Sequence, residues 1–282
     1  MLKITQEGPI TLFKMGRSIG RYVPYTVYAF MLDDLLIDTG TIFAQREFIS
    51  ALEGKTIRRV LHTHHHEDHI GNNGAVHRTF GAEFFAHPLA LPFIEEPRRM
   101  PLRFYQRFVW DWPEPSQAAE IPGEIITDNY RLRVIAAPGH SPDHVCFYEP
   151  DSKWLFTGDI FCGTKLKYFR LDEDYPVTLA TLKELSKLDI DTVFCSLLGV
   201  VRDGTAAIRR KAEFMEQLME EVLDRSERGR SIGAITRELL GREGDMYYIT
   251  AGHYAKRNAV KSILTGGACV SYVPYCAGTK GR

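Results

Sequence analysis

An α/β fold with a helical C-terminal extension is what the 282-residue sequence predicts, on three observations. Short runs of apolar and β-branched residues stop abruptly at Gly, Asp or His, as in segments 35–40 and 154–159. Segments with apolar residues at helical spacing lie between such runs, which makes a βαβ rhythm. From residue 204 onward the pattern is mostly helical.

Residues 10–38 carry three strand-like runs, ITLFKMG, YTVYAFML and LLID, with Pro24 and the pair Asp33-Asp34 as turn signals, and predict an antiparallel meander. The third run ends in Asp38, which residue type alone reads as a turn or N-cap aspartate. Residues 42–52 read as a helix, 57–61 as a strand, 75–80 as a helix and 83–86 as a further strand. Segment 88–123 holds seven prolines around RRMPLRFYQRFVWDW, with one short helix at about 102–110. It reads as an insertion or lid in which Arg103 or Arg107 meets an anionic group, or as a cover that packs on the sheet edge or against a second subunit in a homodimer. RLRVIAAPGH, VCFY and KWLFTGDIF are strands, 178–188 is a helix with a leucine core face, and DTVFCS is another strand. Three helices follow: 205–228, SIGAITRELLG with Ser231 as N-cap, and MYYITAGHYAKRNAVKSILTG, which contains His253 as a packed or surface residue. GTKGR at 278–282 reads as a disordered end.

The densest chemistry lies at residues 62–69, HTHHHEDH, directly after the strand 57–61. Imidazole is the commonest protein metal ligand and carboxylates join it readily. Alternate side chains of an extended segment share a face, so His64 and His66 can point together, while His65 falls on the opposite face. Asp68 and His69 follow after the chain begins to turn and can form a second cluster nearby, the geometry two neighbouring ions need.

THHHEDH resembles the T-H-x-H-x-D-H signature of the metallo-β-lactamase superfamily, which includes glyoxalase II-like hydrolases and lactonases. GHSPDH at 139–144 is similar to its third motif, and Gly158-Asp159 to its fourth. The resemblance covers about residues 10–205 and implies a four-layer αββα sandwich, with 206–282 as the helical extension. It implies that His64, His66 and His140 hold one metal, that Asp68, His69 and a bridging Asp159 hold a second, and that Asp38 buttresses the ligands from behind. His144 is expected to support rather than ligate, and Lys165 and Tyr168 are candidates for substrate contact. The sequence departs from the pattern at the last metal histidine, where Leu197 stands. The second site then keeps an ion with water in the gap, recruits Cys195 or His253, or is empty, in which case Asp68 can act as a proton acceptor.

The activity so implied is metal-dependent hydrolysis of a small-molecule ester, thioester, lactone, amide or phosphoester, with one or two zinc ions, or iron or manganese, as cofactor. The rivals are a mononuclear iron dioxygenase acting on a thiol or persulfide, and a non-catalytic binding protein stabilised by its metal. Lys+Arg 35 against Asp+Glu 36 leaves a net charge of −1, which gives no global attraction to nucleic acid. No stretch approaches the roughly 18 apolar residues of a membrane helix. The N-terminus lacks a secretory pattern, and five scattered cysteines without a CxxC fit a reduced, cytoplasmic setting.

Overall fold

A computed structural model of the chain describes residues 1–266. The expected disordered end at 278–282, together with Cys269 and Cys276, lies outside the described residues.

The N-terminal half forms a seven-stranded mixed sheet in sequential order: β1 (Leu2–Glu7), β2 (Ile10–Met15), β3 (Val27–Leu32), β4 (Leu35–Ile37), β5 (Arg59–Leu61), β6 (Glu83–Ala86) and β7 (Ala119–Glu120). The meander β1–β4 is antiparallel, and β4–β7 are parallel because helical crossovers join them. Those crossovers include α1 (Gln45–Leu52) and α2 (Asn73–Phe80), and between β6 and β7 the insertion carries α3 (Leu91–Glu95) and α4 (Phe104–Val109). The second sheet has six strands in the order β13-β12-β11-β10-β9-β8: β8 (Glu124–Ile126), β9 (Arg131–Ala136), β10 (Val145–Glu149), β11 (Trp154–Gly158), β12 (Thr192–Cys195) and β13 (Gly199–Arg202). Helix α5 (Tyr175–Leu185) connects β11 to its parallel neighbour β12. The chain ends in α6 (Gly204–Glu227), α7 (Ile232–Leu240), α8 (Asp245–Ile249) and α9 (Lys256–Thr265).

The layers follow from the period-two geometry of strands. Along β10, Val145 and Phe147 face the first sheet, while Cys146 and Tyr148 face the helices. On β12, Phe194 faces inward, and Val193 and Cys195 face outward. Both faces are covered, so these strands read as continuous apolar runs rather than alternating ones. Between the sheets, Phe30, Phe156 and Phe194 meet with ring centroids 4.8 to 5.8 Å apart. Burying each such ring contributes roughly 1.5–3 kcal/mol. Helices α1 and α2 cover the outer face of the first sheet through Phe48, Leu52 and Val76. Helices α5, α6, α7 and α9 cover the second through residues such as Leu182, Ile208, Ile235 and Val260. The result is the αββα sandwich.

Strands β1, β7, β8 and β13 lie outside the expected runs, and one expected helix is divided. The segment read as a single last helix is broken: Ala251 and Gly252 adopt φ 48° and 79°, so α8 stops and six residues separate it from α9, with His253 among them. In the insertion, the Arg107 guanidinium stacks 4.8 Å from the Trp112 ring centroid. No helix among the described residues is long and apolar enough to cross a membrane.

Candidate metal centre

The centre forms where strands of both sheets end. After β4, Asp38 is fully buried with φ 60°, a left-handed conformation that aspartate tolerates better than most residues. Its Oδ1 accepts the Thr63 backbone N–H at 2.9 Å, and its Oδ2 accepts the Thr63 hydroxyl at 2.8 Å and the His69 Nδ1 proton at 2.7 Å. Burial opposes the charge on Asp38, but His69 and His62 outweigh it and bring its carboxyl down to about 2. The histidine loop leaves β5 extended and then turns, with the His69 N–H bonded to the His66 carbonyl. Gly71 packs backbone against backbone: a Cβ there would lie 2.3 Å from the Gly40 carbonyl oxygen.

Three ring nitrogens converge. His64 Nε2 lies 2.7 Å from His66 Nδ1, which lies 3.0 Å from His140 Nε2. The other nitrogens decide where the protons sit. The Thr63 hydroxyl donates to Asp38, so its oxygen accepts from His64 Nδ1 at 3.0 Å, which leaves His64 Nε2 as a lone pair. Glu173 Oε1 holds the Nδ1 proton of His140 at 2.6 Å, which leaves its Nε2 directed inward. Burial holds His64 and His66 well below the ordinary histidine range, as neutral imidazoles. At His140 burial also opposes charge, but the Glu173 hydrogen bond outweighs it and raises the pKa, so a cation there competes with a proton.

A second group, His64, His69 and Asp159, lies beside the first and shares His64 with it. Asp159 spans the two, with Oδ1 3.5 Å from His69 Nε2 and Oδ2 3.6 Å from His140 Nε2. His69 Nε2 and Asp159 Oδ1 are buried without a hydrogen-bond partner. Converging lone pairs and orphaned buried donors beside a carboxylate fit a divalent cation. Asp68 lies farther out, its Oδ1 3.9 Å from His69 Nε2, and burial pushes its carboxyl up to about 7. Neither group includes Cys195 or His253 among the described residues. The Cys195 thiol instead donates to the Phe161 carbonyl at 2.7 Å, and His253 bonds to the Tyr105 hydroxyl and pairs with Asp172 at 3.4 Å. Leu197 is 40% exposed.

The remaining histidines support the loop. His144 Nε2 accepts the Asp159 N–H at 3.1 Å, a contact allowed by Gly158, whose added Cβ would meet that nitrogen at 2.6 Å. His65 turns away and takes Asp143 through its backbone N–H at 2.8 Å and its Nδ1 at 2.9 Å. Burial opposes the Asp143 charge, but His65 outweighs it and depresses its pKa. A depressed carboxylate stabilises the fold above its unfolded pKa, near 4, and that contribution is lost as pH falls through the folded value. In urea melts of chelated protein, Asp143→Asn is therefore expected to cost about 2 kcal/mol at neutral pH. The gap to the native protein should close as pH falls below about 4; a gap independent of pH would rule out the charge as its source.

Several residues that complete the site carry no motif. Arg170 is buried, holds Asp172 through Nε at 2.9 Å and Nη2 at 2.7 Å, and directs Nη1 to His66 Nδ1 at 3.3 Å. Tyr105 and Gln106 link α4 to the centre, Gln106 by a 2.9 Å bond to buried Glu67. A cleft of about 200 Å³ opens on the centre; His140 and Asp159 form one part of its wall, and Lys165, Tyr168, Leu197 and Tyr254 line others. Both substrate-contact candidates, Lys165 and Tyr168, thus lie in the cleft wall.

A mixed αββα sandwich that gathers histidines and carboxylates where its strands end is the frame of a metal-binding α/β protein. The chain belongs to the metallo-beta-lactamase superfamily, which it matches over residues 24–196. It is 31% identical over 148 residues to a hydroxyacylglutathione hydrolase of Brucella anthropi, covering 50% of this chain and 48% of that protein. It is 25% identical over 258 residues to an atrochrysone carboxyl ACP thioesterase of Pseudocercospora fijiensis, covering 84% of this chain and 69% of that one. The chain thus spans about half the length of the Brucella relative. Among solved structures, a beta-lactamase domain protein from Burkholderia ambifaria superposes with TM-score 0.69 at 17% identity, over 93% of this chain and 87% of that one.

Proposed function

We propose that the chain is a metal-dependent hydrolase of small acyl substrates, with esters and thioesters first among them. The observation that carries this reading is the convergence of the His64, His66 and His140 nitrogens beside Asp159 and an open cleft. These residues would hold the cation, with zinc the leading candidate. A divalent ion bound there supplies Lewis acidity, lowering the pKa of water towards about 7 and polarising the acyl oxygen.

The chain's own groups do the rest. Asp159 and Asp68 place carboxylates beside the cation site, and Asp68, which stands outside both ligand groups, is the proton acceptor. Arg170 is locked by Asp172 and presents Nη1 to the reacting region as a fixed donor. Glu173 and Asp38 orient His140 and His69. The relatives' names, a thioesterase and a hydroxyacylglutathione hydrolase, support acyl transfer to water.

The test is Asp68→Asn with a panel of aryl esters and acyl thioesters. Loss of kcat by about 10²- to 10⁴-fold, with metal content retained, is expected. Unchanged kcat would overturn the role of Asp68, and no turnover of any acyl substrate by the metal-loaded native chain would overturn the reading. The sharing of His64 between the two groups favours a single ion and keeps a second reading in view, redox chemistry at one iron. That reading requires iron in the untreated protein and oxygen consumption with a thiol.

A further inference from the structure

The same cleft contains a buried ammonium group that the hydrolytic reading does not use. Lys211, on α6, is only 6% exposed and lines the cleft with Cys162, Leu197 and Met215. Its Nζ donates to the Gly163 carbonyl at 2.9 Å. No carboxylate lies within 4.0 Å of it among the described residues. An ammonium has three donors, so one protein contact leaves two unspent. A charge removed from water without a counterion is costly, and burial accordingly lowers the Lys211 pKa. The carboxylates that share this cleft are engaged elsewhere. Glu173 holds His140 and the Arg170 N–H, and Asp159 faces His69 and His140. Lys165 and Lys167 add two further ammonium groups to the wall.

We propose that Lys211 forms an anion subsite and that the acyl substrate carries a second, anionic group, a carboxylate or a phosphate, which pairs with it. This rests on the hydrolase reading above and narrows it to a substrate class. The helical extension then contributes a specificity residue rather than only a cover for the sheet.

The experiment uses the protein as purified and three N-acetylcysteamine thioesters: succinyl, 3-phosphonopropionyl and the neutral butyryl. The native chain is expected to prefer one of the anionic thioesters to butyryl by about tenfold in kcat/KM, the scale of a hydrogen bond to a charged group. Lys211→Met should bring that ratio near one, chiefly through KM, and Lys211→Arg should restore part of it. The arm that responds distinguishes carboxylate from phosphate. A native preference for butyryl overturns the proposal, and so does an unchanged ratio in Lys211→Met. The first of these needs no variant, so a poorly folding Lys211→Met leaves the idea testable. If no thioester turns over, the hydrolase reading fails separately, and calorimetry with succinate and inorganic phosphate decides the subsite. Binding at least tenfold weaker in Lys211→Met than in the native chain supports it, and equal binding, or no binding of either anion by the native chain, overturns it.

Discussion

Replacing His64 with alanine is expected to remove essentially all tightly bound metal, whereas replacing His140 should leave a weak residual site. The difference follows from the geometry. His64 belongs to both groups of candidate ligands, while His140 belongs to one. Thr63 holds the Nδ1 of His64, so this imidazole has a single free nitrogen and serves one cation at a time. The expected stoichiometry of the native chain after dialysis is accordingly one ion. Loss of a residue that merely orients a ligand typically weakens metal binding by about 10- to 100-fold. Loss of the shared ligand itself should cost on the order of 100-fold or more. Elemental analysis of His64→Ala, His66→Ala and His140→Ala, purified without added metal, reads this directly. Full stoichiometry in His64→Ala would remove the foundation of the site. Because Glu173 raises the His140 pKa, a proton competes with the cation for Nε2, and metal uptake should also release protons, measurable in a weakly buffered titration.

The second large effect is a gain. Leu197→His is expected to raise the metal content from about one ion per chain towards two. Leu197 stands in the wall of the cleft that Asp159 also lines, and it is 40% exposed, so little packing is lost by exchanging it. His69 Nε2 and Asp159 Oδ1 are buried without hydrogen-bond partners, and Asp159 lines the same cleft as Leu197. A third donor would complete a set that now draws on His64, already committed to the first group. Count per chain, taken at saturating and then at limiting zinc, checks the expectation. A variant that stays at one ion would show that the leucine is not what weakens the second site.

The legibility of this site divides along a physical line. Residues 62–69 could be read because the donors are chain neighbours, and strand parity alone separates His64 and His66 from His65. In the structure the first two converge and His65 turns to Asp143. Parity does not reach Asp68, because a turn held by the His69 N–H and the His66 carbonyl places it farther out than a strand would. The apolar runs of β10, β11 and β12 were equally legible as strands, since burial on both faces demands continuous hydrophobicity. The tail is legible as helical but its break is not, because the pattern of apolar residues continues through Ala251 and Gly252 while the helical backbone does not.

By itself, the sequence determined the class of fold, most of the central strands and covering helices, and the short run of imidazoles and carboxylates at one strand end. Those features depend on residue type and on spacing within a few positions. Only the tertiary structure decided that Glu173 orients His140, that Arg170 and Lys211 are buried, and that one histidine is shared by two ligand groups. A charged side chain in a loop or on a helix looks the same in sequence whether water or protein surrounds it. Its surroundings are set by segments tens of residues away, and that is where the chemistry specific to this chain resides.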